Sequence, residues 1–449
     1  MSAYFPPANT PGVHRMLRFS RQLLADGWRV QVLTIDPGYF HRGAKLDEGM
    51  LKDVPGGVDL HKTKVFRGIT KILELKNKIL PRHGKTLADS RSKGASPTGK
   101  HRSANRGQRL RDKLISVFEF PDPDVGWLWY AVRAGADLLR KNPVDVILST
   151  APPYTPHLIA AELSRQFKIA WVADFRDPMR VPLAWCPEQG RVRMTLRKWF
   201  EERIVSTADA IVLNTERMKT EFEGVYGNGV CAKLHCVTNG YDSTFFDKYA
   251  EIRPRHSGSL TITHAGSLYG ARNPIPLLRA LASAIDKQRM PRGGIRVNLI
   301  GTHGTEFSIA QTLATLKLES AVKLLPPVPY DECLRHMAAS HVLLVIQPDT
   351  QIQVPAKMYE YIALRRPILA LSPDGAVGDL MREGHLGILA PPHDVDAIEE
   401  ALCTLYAQKD DLATIYCRDK AFFRRYEAQA LTRRLERVFS SARALRGCE

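Results

Sequence analysis

Apolar residues recur along the chain with two alternating periods. Over residues 12–26 they fall at Val13, Met16, Leu17, Phe19, Leu23 and Leu24, the spacing of one helix face turned to a core, and Gly27 closes the run. The next stretch, 29–34 (RVQVLT), reads as a strand, and further strands are expected at 144–149, 169–173, 210–213 and 234–238. A second series of the same kind begins near residue 259, with strands at 260–264, 297–300, 342–346 and 367–371. Strands alternating with helical stretches predict mostly parallel sheets with helices on both faces.

Two such series imply two Rossmann-like domains facing each other across a cleft. In open α/β folds, ligands bind outside the carboxyl ends of the strands, which is where this cleft lies. We place the first domain at 1–245, the second at 246–420, and an amphipathic, Arg-rich helix at 421–449. Residues 239–242 (NGYD) and the charged stretch after them are expected to connect the halves. Two segments break the pattern. Residues 65–80 (VFRGITKILELKNKIL) space apolar residues and lysines as a basic amphipathic helix, suited to a membrane interface or to internal packing. Residues 84–108 carry almost no apolar side chain and are expected to form a mobile loop.

The charge sharpens this picture. Of a net charge of +17, residues 62–113 supply +13, from 16 basic against 3 acidic side chains. Such a patch fits an anionic lipid surface or nucleic acid, or is simply solvated. A nucleic-acid surface would interleave aromatic rings, and none occurs between Gly68 and Leu114, so no nucleic-acid partner is expected. The seven cysteines (186, 231, 236, 333, 403, 417 and 448) form no Cys-x-x-Cys pair, which argues for reduced thiols rather than staples or a zinc knuckle. No apolar run is long enough to span a bilayer, and no signal peptide is visible at the start, so a cytoplasmic protein is expected.

Four stretches can carry chemistry. Pro11-Gly12 opens the first helix and offers close backbone approach and unpaired N–H groups to a phosphate, or is an ordinary turn. Residues 171–178 (WVADFRDP) end a strand with Asp174 and Asp177 flanking Arg176, either a substrate contact or a local salt bridge. Residues 263–272 run from a strand into a loop with Gly266 and Arg272, apt for the charge of a departing diphosphate. Residues 354–361 (VPAKMYEY) set Lys357 and Glu360 three apart on one helix face, an ammonium for a diphosphate and a carboxylate for ribose hydroxyls, or a plain surface pair. Two Asp-x-Asp triplets, 122–124 and 394–396, are read as a loop and a helix cap, so no metal site is expected. No GxGxxG or GxxxxGK[ST] is present.

Taken in order, these stretches resemble the family 4 retaining glycosyltransferases of the GT-B fold, in particular bacterial members of polysaccharide pathways. The likeness runs through residues 12–34, 120–132, 147–163, 171–179, 213–222 and 237–246 into 264–281 and 354–371. It implies a second domain that holds a UDP- or GDP-sugar, and a last helix that returns to the first domain. Glu360 matches the later glutamate of the family's E-x(7)-E motif, placed at the ribose, while Ile352 stands where the first glutamate would be. Gly12, Gly266, Arg272 and Lys357 match donor-binding positions, with Arg272 and Lys357 facing the diphosphate. A second lysine of the family pattern is replaced by Asn273-Pro274. Asp174, Arg176 and Asp177 fall in a catalytic region, and Arg15 falls on the acceptor side. Relatives have a full first strand before this chain's Phe5-Pro6-Pro7, so the central strand is expected to be short here, or the true start to lie upstream.

The reaction so implied is a metal-independent, cofactor-free transfer to a lipid-linked or saccharide acceptor, on the inner face of the plasma membrane reached through 62–113. A nucleotide-sugar 2-epimerase and a non-catalytic sugar-nucleotide-binding protein remain as alternatives.

Overall fold

The structure is a computed structural model that describes residues 1–40, 46–67, 119–180, 191–249, 251–254, 258–304, 307–412, 416 and 419–447. The basic helix and loop expected within 62–113 fall, from residue 68 onward, outside the described residues.

Two parallel layers form, one in each half. The first contains β1 (Val30–Ile35), β2 (Val58–Thr63), β3 (Val146–Ala151), β4 (Ala170–Phe175), β5 (Ala210–Leu213) and β6 (Leu234–Cys236). β1 pairs with β2, and β3 through β6 follow in order. Residues 1–3 join the two sheets. The Met1 amine donates to the Leu148 carbonyl at 2.5 Å and the Thr150 N–H to the Met1 carbonyl at 3.2 Å. On the other side, the Ser2 N–H donates to Leu33 and the Ile35 N–H to Ala3, both at 3.2 Å. The second layer has the order β12-β11-β10-β7-β8-β9, all parallel. Its strands are β7 (Leu260–Ala265), β8 (Ile295–Ile300), β9 (Val322–Leu325), β10 (Val342–Ile346), β11 (Ile368–Leu371) and β12 (Gly387–Ala390).

Burial explains why these runs become strands. Every residue of β4 and β10 is buried, because helices cover both faces of each sheet and leave no solvent side for a polar alternation. Three strands escaped the sequence reading: β2, β9 and β12. Each is an outer strand of its layer, and their interleaved polar residues or short length leave little signal.

The chain crosses between halves twice, side by side. Tyr241 donates its N–H to the Tyr426 carbonyl at 3.0 Å, and the Ala428 N–H donates to Tyr241 at 2.8 Å. This crossing also corrects the expected last helix, which is two helices. Lys420–Arg424 stays with the second lobe, burying Phe422 and Phe423, whereas Ala428–Gly447 returns to the first. There Leu431, Leu435, Val438 and Phe439 join the core under β4 and β5, and the Trp28 indole N–H donates to Glu436 at 2.7 Å.

Candidate active site in the interlobe cleft

A cleft of about 1250 Å³ opens between the carboxyl ends of the two layers. From the second lobe it is lined by Gly266, Arg272, Lys357 and Glu360; from the first, by Gly12, Arg176 and Asp177.

The second-lobe group is built at three strand ends. β7 runs into Gly266, whose φ of +133° only glycine adopts readily; a Cβ there would also lie 2.8 Å from the Lys357 ammonium. Lys357 reaches that spot from the helix Ala356–Ala363, which follows Pro355 and buries Met358, Tyr359, Tyr361 and Ile362. Those apolar residues fix the rotation of the helix and leave Lys357 and Glu360 on the cleft face. The Lys357 Nζ donates to the Ala265 carbonyl at 2.9 Å. Burial, with Arg272 nearby, lowers its pKa to about 7. Arg272 lies over the Tyr269 ring at 5.4 Å and donates from Nη2 to Gln347 Oε1 at 3.0 Å. Neither cation has a carboxylate in hydrogen-bond contact among the described residues. Below them, the buried His264 bonds through Nδ1 to the Leu344 carbonyl at 3.0 Å, while its Nε2 has no partner among the described residues. Burial and the charges of Lys357 and Arg272 keep this ring neutral.

Glu360 accepts the Tyr330 hydroxyl on Oε1 at 2.9 Å. Burial pushes its carboxyl up to about 7, against the opposing pull of Tyr330 and Lys357.

The first-lobe group divides in two. Arg176 donates to the carbonyls of Ala151 (3.2 Å) and Pro152, and its guanidinium lies so close to Gly12 that a Cβ there would overlap it. Gly12 is thus required by a side chain of its own lobe, a reason for glycine there besides the expected close approach of a phosphate. Asp177 accepts from the Gln353 carboxamide of the opposite lobe. Arg15 and Asp174 correct the expectation: neither lines the cleft. Their side chains are 1% and 2% exposed and pair at 2.8 Å. Arg15 also donates to the carbonyls of Val237 and Thr238, both at 2.7 Å, and Asp174 accepts the Thr150 hydroxyl at 2.7 Å. A charge pair with these hydrogen bonds satisfied ties the first helix to β3, β4 and the crossing, and has nothing left for an acceptor.

Three of the four Asp-x-Asp carboxylates, Asp122, Asp124 and Asp394, are engaged within the protein. Asp122 accepts the N–H groups of Tyr154 (2.6 Å) and Thr155 (2.7 Å), and Asp124 pairs with Arg67 at 2.6 Å. Asp394 caps the helix Val395–Ala407 through the Ala397 N–H at 2.9 Å. Ile352, in the place of the first motif glutamate, packs on the first lobe's core, and its carbonyl accepts the Thr215 hydroxyl at 2.5 Å.

Tyr330, Gln347 and Gln353 went unseen in the sequence. Gln347 directly follows β10, so the rule that ligands meet strand carboxyl ends already points to it, whereas Tyr330 follows β9 by a few residues and needed that strand to be visible.

Known proteins share this fold. Residues 12–240 match the family described as "Glycosyl transferase 4-like domain", and residues 259–408 match "Glycosyl transferases group 1". The D-inositol 3-phosphate glycosyltransferase of Kineococcus radiotolerans is 27% identical over 223 residues, covering 46% of this chain and 51% of that protein. That of Kribbella flavida is 25% identical over 218 residues, covering 46% and 50%. The chain spans about half the length of the curated relatives it matches. Among solved structures, a glycosyltransferase from Rickettsia africae superposes with a TM-score of 0.62 at 11% identity, covering 98% of this chain and 97% of that one. HepE from Anabaena, in complex with UDP and glucose, superposes with a TM-score of 0.59 at 14% identity, covering 98% and 99%. At such identities the likeness is one of fold, and that fold is GT-B. The first match alone spans more than half of the chain, and the second follows it in the other lobe: the chain belongs to family 4 of the GT-B glycosyltransferases.

Proposed function

We propose that this protein transfers a glycosyl group from a nucleoside diphosphate sugar to an acceptor hydroxyl, with retention and without a metal ion. The observation that carries the reading is that Lys357, beside Gly266, and Arg272 line one cleft with no carboxylate in hydrogen-bond contact among the described residues, with Glu360 one helical turn from Lys357. Such a group suits a diphosphate followed by a ribose, whose two hydroxyls a carboxylate accepts. As the sugar–phosphate bond breaks, Arg272 and Lys357 stabilise the charge that develops on the diphosphate. The acceptor hydroxyl attacks from the face that the diphosphate leaves, and its proton passes to the departing phosphate oxygen. Because the two cations meet the charge, transfer is expected to survive EDTA.

UDP is the first nucleotide to try, since HepE was solved with it, and the inositol 3-phosphate enzymes make polyol phosphates reasonable acceptors beside lipid-linked saccharides. A lipid-linked acceptor would be met at an anionic leaflet through the basic stretch 62–113. The purified protein, incubated with UDP- and GDP-sugars and both acceptor classes, is expected to give a new glycoside with the donor's anomeric configuration by NMR. Failure of every donor to bind or react overturns the reading. Vesicle flotation separates the membrane question: binding to anionic vesicles that weakens with salt supports it, and equal or absent binding to neutral and anionic vesicles removes it.

A further inference from the structure

Glu360 does not face the cleft as a free carboxylate. Tyr330, at the start of the helix Tyr330–Ala338, occupies Oε1 with its hydroxyl at 2.9 Å. The Tyr330 ring is held from both lobes. It stacks on Phe245 at 6.0 Å with an interplanar angle of 18°, and the His14 ring stands 5.9 Å away on its other contact. His14 is itself tied to Asn9 at 3.0 Å. The ring is 36% exposed, and its two aromatic neighbours orient it so that its hydroxyl meets one carboxylate oxygen.

We infer that Tyr330 is a positioning residue for the donor nucleoside: its hydroxyl fixes Glu360 through Oε1 and leaves Oε2 to accept the ribose. The inference rests on the proposed function. A carboxylate can accept several hydrogen bonds, so Tyr330 and a ribose hydroxyl need not compete. The hydroxyl also favours the ionised carboxylate, the form that accepts on both oxygens and donates from neither. Among the described residues, the charged and titratable groups facing Glu360 are Lys357 and Tyr361 on its own helix, and Tyr330 and Cys333 on the neighbouring one. Lys357 and Tyr330 both favour the anion, against burial, which raises the carboxyl to about 7.

The test is UDP affinity by calorimetry between pH 5.5 and 9, in the wild type, Tyr330→Phe and Glu360→Gln, with donor KM and kcat beside it. Two titrations meet near 7, Glu360 taking up its proton and Lys357 gaining its charge, so the contribution of Glu360 is read as the affinity difference between the wild type and Glu360→Gln, which is expected to fall as the pH drops through about 7. Tyr330→Phe keeps the stacked ring and removes only the hydroxyl. Its donor KM is expected to rise about 10-fold with kcat within about 2-fold, the loss of one hydrogen bond to a charged group. The affinity midpoint is expected to move to higher pH by roughly half to one pH unit, because the anion has lost a donor. A Tyr330→Phe profile that overlays the wild type, while Glu360→Gln loses affinity and keeps only the pH dependence of Lys357, overturns the inference and leaves the functional reading intact. Glu360→Gln binding UDP as the wild type does overturns the assignment of Glu360 itself, and the inference with it.

Discussion

The two lobes hold their buried charges in opposite states. Arg15 and Asp174 in the first lobe spend their hydrogen-bonding capacity on each other, on Thr150 and on the carbonyls of Val237 and Thr238. Arg272 and Lys357 in the second lobe are left with a carboxamide and one carbonyl. Both pairs are rich in charge and lie near strand ends, so residue type does not separate them. Satisfaction does. A buried charge whose partners are all present holds the fold, whereas a recessed cation with neutral partners retains free energy for an anion that arrives later.

The largest expected effect is on the satisfied pair. Asp174→Ala leaves the Arg15 guanidinium buried without its counter-charge, and should lower the unfolding free energy by about 3–5 kcal/mol in urea titrations. Little change there would mean that solvent reaches the pair and that Asp174 is free to act elsewhere. Next comes the opposite outcome in the second lobe. Arg272→Ala should cut kcat about 100- to 1000-fold while unfolding moves by less than about 1 kcal/mol. Equal losses of stability in both variants would erase the contrast between the lobes.

A smaller effect tests whether Lys357 is held at a cost. Its pKa is lowered from 10.5 to about 7, chiefly by burial, so the folded state resists the charged form. For a depressed lysine, the contribution to stability is full above the unfolded pKa and is lost as the pH falls toward the folded one. Lys357→Met should therefore unfold like the wild type near pH 10.5 and be more stable by on the order of 1–3 kcal/mol at pH 7, the cleft's solvent reducing the full amount. A variant less stable than the wild type at pH 7 would show that Lys357 is a structural tie to Ala265.

The layers were legible because buried parallel strands are continuous apolar runs, and β4, β5 and β10 fall at or within a residue or two of the expected positions. Lys357 and Glu360 were legible because three-residue spacing sets them on one face of a helix, and the structure leaves that face on the cleft. Arg15 was not. Its position in the helix Pro11–Ala25 reads as polar surface, yet its partners at Asp174, Val237 and Thr238 lie more than 150 residues away and bury it. Tyr330 was hidden for the same kind of reason: it meets Glu360 only because β9 and β10, separated in the sheet by β7 and β8, present their ends to one cleft. Pairings set by sheet order leave no periodic trace along the chain.

The smallest effect concerns the contact between the lobes themselves. Arg217 of the first lobe donates from Nη2 to Asp379 of the second at 2.9 Å and reaches Asp374 at 3.4 Å, with side chains 37%, 45% and 67% exposed. Pairs so exposed contribute about 0–1 kcal/mol, and salt screens them. Arg217→Ala should therefore change unfolding by less than about 1 kcal/mol, with the difference shrinking further in 0.5 M salt. If the buried tie of Arg15 costs several kcal/mol to break and the surface tie of Arg217 costs almost nothing, each lobe owes its stability to its own core, and the lobes are free to part for a donor to enter. A loss above about 2 kcal/mol for Arg217→Ala would instead make the closed contact part of the fold, and the first lobe's charges would then hold the second in place as well as themselves.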